Sequence, residues 1–288
     1  VAGTGDAAPG TLRLVHPLEI ALGVWAASCA FAWIASLVTK DTSWVDREWS
    51  LVPIAYVWIF ALAADLKSAR LVLMALLVTA WGARLTFNFA RKGGYSGVED
   101  YRWVVLRSKM SPAAFQLFNL GFIVLYQNAL LLLISLPALT AYEHRSTPLG
   151  PVDLLLAAAF LAALLGETIA DQQQWDFQQW KRAELAAGRS CEPGFITDGL
   201  FRFSRHPNFF FEQLQWWLFF GLGAAAAGTV FVWTGFGALL LSGLFLGSTR
   251  FTEQISASKY PAYDAYRACT SMLVPWPPRD RPAELSAP

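Results

Sequence analysis

The chain has 288 residues, 55% of them hydrophobic and only 15% charged, with thirteen tryptophans. A soluble domain of this length needs more polar surface, so the composition excludes an ordinary soluble globule, and the long apolar runs predict an all-α integral membrane protein. A formal net charge of +1, with no basic stretch interleaved with aromatics, excludes nucleic acid as a partner. The scattered Cys29, Cys191 and Cys269 suggest no disulfide framework, and His16, His144 and His206 lie too far apart to suggest a metal site.

In chain order, residues 1–17 lack an apolar leader core and are expected to be a flexible tail. Seven spans follow, near Leu18–Val38, Leu51–Ala64, Leu71–Phe89, Pro112–Leu139, Val152–Ala170, Phe209–Gly228 and Thr229–Gly247. They make one domain over 18–278, with a C-terminal tail over 279–288. The second is short for a crossing of about 20 residues. The sixth and seventh are nearly continuous, and Ala227-Gly228-Thr229 is expected to turn tightly between them. With seven spans, seventeen Lys and Arg residues fall on one face and four on the other, with Arg84 inside the third span. That asymmetry places the C-terminus in the cytosol.

Polar residues gather at the ends of four of these segments. In the third span Trp81, Arg84, Asn88 and Arg91 share one helical face. The fifth ends on "GETIADQQQWDFQQWKR", where Glu167, Asp171, Gln174 and Gln178 stack on one face. Either the helix emerges into water there, as Trp175 and Trp180 would suit, or Glu167 and Asp171 need a buried partner or a wet cavity.

The stretch "FRFSRHPNFFFEQLQWW" places Pro207 in the first turn of the sixth span, with Asn208, Glu212 and Gln215 on one face. Arg202, Arg205 and His206 surround that helix N-terminus, a suitable place for phosphate or for lipid head groups. Beyond the seventh span, Arg250 and Glu253 lie a turn apart, and Tyr260, Tyr263 and Tyr266 follow at helical spacing, as an interfacial belt or as part of a site. The run "GLGAAAAG" is read as small residues permitting close helix packing, since it follows no strand. All four clusters converge on one face, which predicts a polar, cytosol-facing cavity.

"GLFRFSRHPNFFFEQLQWW", with "GETIADQQ" before it and "KYPAYDAYRACTSMLVPW" after it, resembles the bacterial branch of the steroid 5-alpha-reductase-like membrane proteins. The N-terminal half fits through "DTSWVDREWS", "WGARLTFNFARKGGYSGVEDYRW" and "QNALLLLISLP", so the likeness runs from about Asp41 to Pro278. It implies a seven-helix reductase of an activated carbon–carbon double bond in a lipid or steroid drawn from the bilayer, using NADPH and acting as a monomer. The resemblance carries Glu167, Asp171, Asn208 and Glu212 to the cofactor and sets its basic residue and tyrosine after the seventh span near Arg250 and Glu253. From the converging polar clusters Arg84, Asn88, Arg205, His206 and Tyr263 are expected at the cofactor as well. Glutamate stands at 167 where the steroid reductases have asparagine. The second span lacks the glutamate those enzymes use, and Trp81 occupies their tyrosine position.

Conjugate reduction needs an acid for the oxygen on which negative charge develops, and Tyr101 and Asp46 are the candidates. Asp46 could instead anchor its loop through Arg47. The alternative function is a methyltransferase of the isoprenylcysteine or phospholipid type, which shares the arginine-histidine-proline motif and binds S-adenosylmethionine. A third class, a transporter or lipid-binding scaffold, would place ionisable residues nearer the midplane.

Overall fold

The computed structural model describes residues 15–279, 282 and 285. Most of the expected N-terminal tail, residues 1–14, lies outside the described residues, as does the expected C-terminal tail beyond Arg279 apart from Pro282 and Leu285. Among the described residues the chain is helical, with no strand. Its helices are α1 Pro17–Thr39, α2 Trp44–Glu48, α3 Val52–Ala63, α4 Ala69–Arg91, α5 Tyr101–Lys109, α6 Pro112–Phe118, α7 Gln127–Ser135, α8 Pro137–Glu143, α9 Pro151–Ala186, α10 Pro207–Ala227, α11 Phe236–Lys259 and α12 Tyr263–Cys269. An eight-residue π-helical segment, Asn119–Tyr126, joins α6 to α7.

Four stretches are long and apolar enough to cross a membrane: Pro17–Thr39, Ala69–Arg91, Pro112–Glu143 and Pro151–Ala186. Large apolar side chains such as Phe31, Ile34, Leu155 and Leu165 point outward from them, as lipid-facing surface does. The chain is an all-helical membrane protein. Each of the seven expected spans has helix at its position, but three do not meet the same standard of length and apolarity. α3 rises only about 18 Å, against a hydrocarbon core of about 30 Å. α10 opens on Asn208, Glu212, Gln213 and Gln215, and the second half of α11 is polar.

Two expected boundaries are corrected. The seventh span does not begin at Thr229: Gly228 closes α10 in the left-handed conformation at φ 69°, and α11 begins only at Phe236. The Thr229 hydroxyl accepts from the Phe231 amide at 3.1 Å, Thr234 pairs with Thr140 at 2.9 Å, and a 3-10 turn over Trp233–Gly235 leads into α11. The fifth span continues as α9 to Ala186, about 54 Å from end to end.

Packing follows the small residues. α9 lies along α10, α10 also packs on α8, and α3 packs between α4 and α7. A Cβ at Gly223 would stand 2.7 Å from the Pro137 carbonyl oxygen, so the glycine-alanine run serves close helix approach as expected. Trp81, Trp216, Tyr56, Phe60 and Phe219 fill the core.

The N-terminal ends of α4 and α9 are joined by a buried bidentate ion pair. Arg70 Nε and Nη2 donate to the two Asp153 oxygens at 2.7 and 2.8 Å, and the remaining guanidinium bonds go to the Thr147 and Pro148 carbonyls at 3.1 and 2.9 Å. Removing one partner strands a buried charge, so Asp153→Asn is expected to cost about 3–5 kcal/mol. Replacing both, as Arg70→Met with Asp153→Leu, should recover much of that loss in thermal unfolding of the detergent-solubilised protein.

Candidate functional site

α4 presents Arg84, Asn88 and, just past its last turn, Lys92 to α9 and α10. The Arg84 guanidinium stands among three buried carboxylates. Its Nη1 donates to Asp171 Oδ2 at 2.6 Å, and its Nη2 lies 2.7 Å from Glu167 Oε1 and 3.5 Å from Glu212 Oε2. Asn88 and Asn208 donate to the Asp171 oxygens at 2.7 and 3.4 Å, and Lys92 Nζ lies 3.9 Å from the same carboxylate.

Glu212 accepts from the indoles of Trp81 and Trp216 at 2.9 and 3.1 Å, and Glu167 accepts from Gln215 at 2.6 Å. Gly166 brings α9 close to α10, since a Cβ there would meet the Phe211 ring at 2.6 Å. Arg84 Nε and Gln215 Oε1 are buried in this cluster without a hydrogen-bond partner. Orphaned polar atoms of this kind suit a ligand or ordered water.

A second cluster holds the head of α10. Arg205 has all three nitrogens on protein acceptors: Nε and Nη2 on Glu253 at 2.6 and 3.1 Å, and Nη1 on the carbonyls of Arg267, at 3.0 Å, and Thr270. His206 Nε2 lies 3.1 Å from Glu253 Oε1. The backbone of 203–206 pairs with 271–276, through Arg205 N to Ser271 O at 2.8 Å and Trp276 N to Phe203 O at 2.9 Å. Tyr263 and Tyr266 pack against Phe195, Cys269 and Leu285 in a small core of their own. Burial pushes the Tyr263 phenol up to about 12.

Beside the first cluster lies a chamber of about 980 Å³. Its walls come from α4 (Leu85, Phe89), the end of α6 (Phe118), the π-helical segment (Phe122, Tyr126) and α11 (Gly243, Leu244, Gly247). The residues 94–103 and the start of α5 close one end. Asp46 faces it and accepts from the Trp103 indole at 3.0 Å; burial raises the Asp46 pKa, with the Asp100 charge adding to the rise. Among the described residues, Lys92 is the one side chain that lines the chamber and also reaches the carboxylate cluster.

Most of the residues singled out in the sequence thus come together. Arg84, Asn88, Glu167, Asp171, Asn208 and Glu212 form one cluster, while Asp46 and Tyr101 line the adjoining chamber. Four further residues expected at the cofactor lie outside this cluster. Arg205 is spent on Glu253 and carbonyls, with His206 beside it; Tyr263 sits in the satellite core; Arg250 is exposed with no ion pair among the described residues. Tyr260, Tyr263 and Tyr266 pack in that satellite core, outside the cluster. Sequence reasoning missed Lys92, two turns beyond Arg84, and Gln127, which is visible as an amide opening the apolar run "QNALLLLISLP".

Fold and site together define a helical membrane protein with a buried arginine–carboxylate cluster against an apolar chamber. The chain belongs to DUF1295, a family described as of unknown function, whose sequence profile matches residues 32–270. The uncharacterized protein C594.04c of Schizosaccharomyces pombe is 41% identical over 256 residues, covering 82% of this chain and 73% of that relative. No solved structure matches the chain.

If Glu253 is the anchor of the 271–276 segment, Glu253→Gln should loosen it by weakening both charge-assisted bonds to Arg205. Amide hydrogen exchange at Trp276, whose N–H depends on that pairing, is expected to rise about tenfold while exchange within α4 stays unchanged. Unchanged exchange at Trp276 would show that the backbone pairing stands without the ion pair.

Proposed function

We propose that the chain is a seven-span membrane reductase that uses NADPH to reduce an activated carbon–carbon double bond in a lipid, with the site mouth and C-terminus in the cytosol. The orientation rests on the Lys and Arg asymmetry between the two faces. The function rests on one observation above the rest: Lys92 belongs both to the carboxylate cluster and to the apolar chamber, so a polar cofactor and a lipid would meet there. The resemblance to the steroid 5-alpha-reductase-like proteins supplies the reaction class.

The donor set suits the cofactor. Carboxylate oxygens of Asp171, Glu167 and Glu212 accept from ribose hydroxyls and amide N–H groups, while Asn88, Asn208 and the orphaned Arg84 Nε and Gln215 Oε1 offer further bonds. Lys92, 41% exposed and 3.9 Å from Asp171, is a cation that a phosphate could share with that carboxylate. Arg205 and His206 act one step back, holding the head of α10 so that Asn208 and Glu212 face the cluster. When bound, NADPH would supply hydride.

The chain's own part is to orient the lipid, exclude water and deliver a proton to the oxygen that gains charge. Asp46 is the better-supported donor, because burial keeps its proton to higher pH and its Oδ2 is held by Trp103. Tyr101, 51% exposed at the mouth, is the other candidate. The protein would act as a monomer and take its substrate from the surrounding bilayer.

Titrating the detergent-solubilised protein with NADPH, NADH and S-adenosylmethionine tests this reading. NADPH is expected to raise the unfolding temperature saturably, and Asp171→Asn should weaken that binding by about tenfold or more. A response to S-adenosylmethionine alone would move the protein to the methyltransferases.

A further inference from the structure

Most of the chamber's charged groups already face a partner. Glu99 takes two bonds from Arg107, at 2.5 and 3.0 Å, and two from Thr42, at 2.7 and 2.9 Å. Arg102 is held by Asp100 at 2.7 and 2.9 Å and reaches Ser248 at 3.0 Å. Lys92 faces Asp171, and Asp46 holds Trp103. An anionic head group would compete with Asp171 for Lys92, and a cationic one with Arg107 for Glu99 or with Arg102 for Asp100, where an uncompensated charge is expensive.

Gln127 stands apart from that pairing. It is only 4% exposed and lines the chamber, and its side-chain amide has no hydrogen-bond partner among the described residues. An amide both donates and accepts, so it can meet either a carbonyl or a hydroxyl. It sits where the π-helical segment gives way to α7, just past a ladder of stacked rings, Phe118 on Phe122 at 5.0 Å and Phe122 on Tyr126 at 5.3 Å. On α11, Gly243 and Gly247 line the same chamber one turn apart, and a Cβ added at either would meet no atom within 4 Å. The space directly beside the glycine pair is therefore open to an apolar body.

We propose that the chamber binds a neutral lipid whose hydrogen-bonding end group, a carbonyl or hydroxyl, is met by Gln127 while its apolar body lies along Gly243 and Gly247. This rests on the reductase reading only in calling the bound lipid the substrate; the binding site itself does not depend on it.

Native mass spectrometry of the purified full chain, without cofactor, tests the site with 2-heptadecanone, heptadecane and palmitate as probes. The ketone is expected to bind about tenfold tighter than the hydrocarbon, and tighter than the carboxylate. Gln127→Leu and the closer-sized Gln127→Met should each erase the ketone's advantage over heptadecane, and Gly247→Leu should weaken both. Palmitate binding tightest, or a ketone preference surviving in whichever Gln127 variant folds, overturns the proposal. The expected ketone binding together with no response to NADPH would leave the site standing and remove the reductase reading.

Discussion

Three carboxylates from two helices converge on one guanidinium in the interior of this protein, and the rest of the arrangement depends on that balance. Among the described residues, Arg84 is the only cation within direct bonding distance of Glu167, Asp171 and Glu212, with Lys92 more distant at 3.9 Å from Asp171. Without the arginine the carboxylates would repel one another in a poorly solvated site, and burial makes such repulsion far stronger than in water. The surrounding donors serve the same end: the indoles of Trp81 and Trp216 hold Glu212, Gln215 holds Glu167, and Asn88 holds Asp171. Docking of α4, α9 and α10 and assembly of the site are therefore the same event.

The geometry divides the work between a polar region and an apolar one. The chamber is walled by rings and left open along α11 by two glycines, while the carboxylate cluster gathers between α4, α9 and α10. Lys92 joins them. The head of α10 is kept in place from outside by Arg205 and Glu253. At the opposite ends of α4 and α9, the Arg70–Asp153 pair fixes the relative height of those two helices. One buried ion pair sets the register, and the other cluster uses it.

Much of this was legible in the sequence because it is periodic. Glu167 with Asp171, Arg84 with Asn88, and Asn208 with Glu212 announce one helical face each, and an ionisable residue in an apolar run demands a partner, so their meeting follows. The start of α10 at Pro207 and its end at Gly228 follow from local backbone chemistry. What escaped depends on tertiary contact. Nothing local says that Arg205 will meet Glu253, 48 residues on, rather than an anion. The start of α11 at Phe236 rests on Thr234 reaching Thr140 across the fold. The second anchor was hidden as well: Arg70 and Asp153 each look like an ordinary helix-end charge until the two ends are brought side by side.

The dependence on Arg84 is tested most directly by thermal unfolding of Arg84→Gln beside Arg84→Gln/Glu167→Gln. The single substitution should lower the midpoint sharply, because three carboxylates lose their shared cation. The second should restore part of the loss, because it removes one of the charges left unpaired. Unfolding of Arg84→Gln at the parent temperature would contradict the account, and the cluster would then be held by its neutral donors rather than by charge.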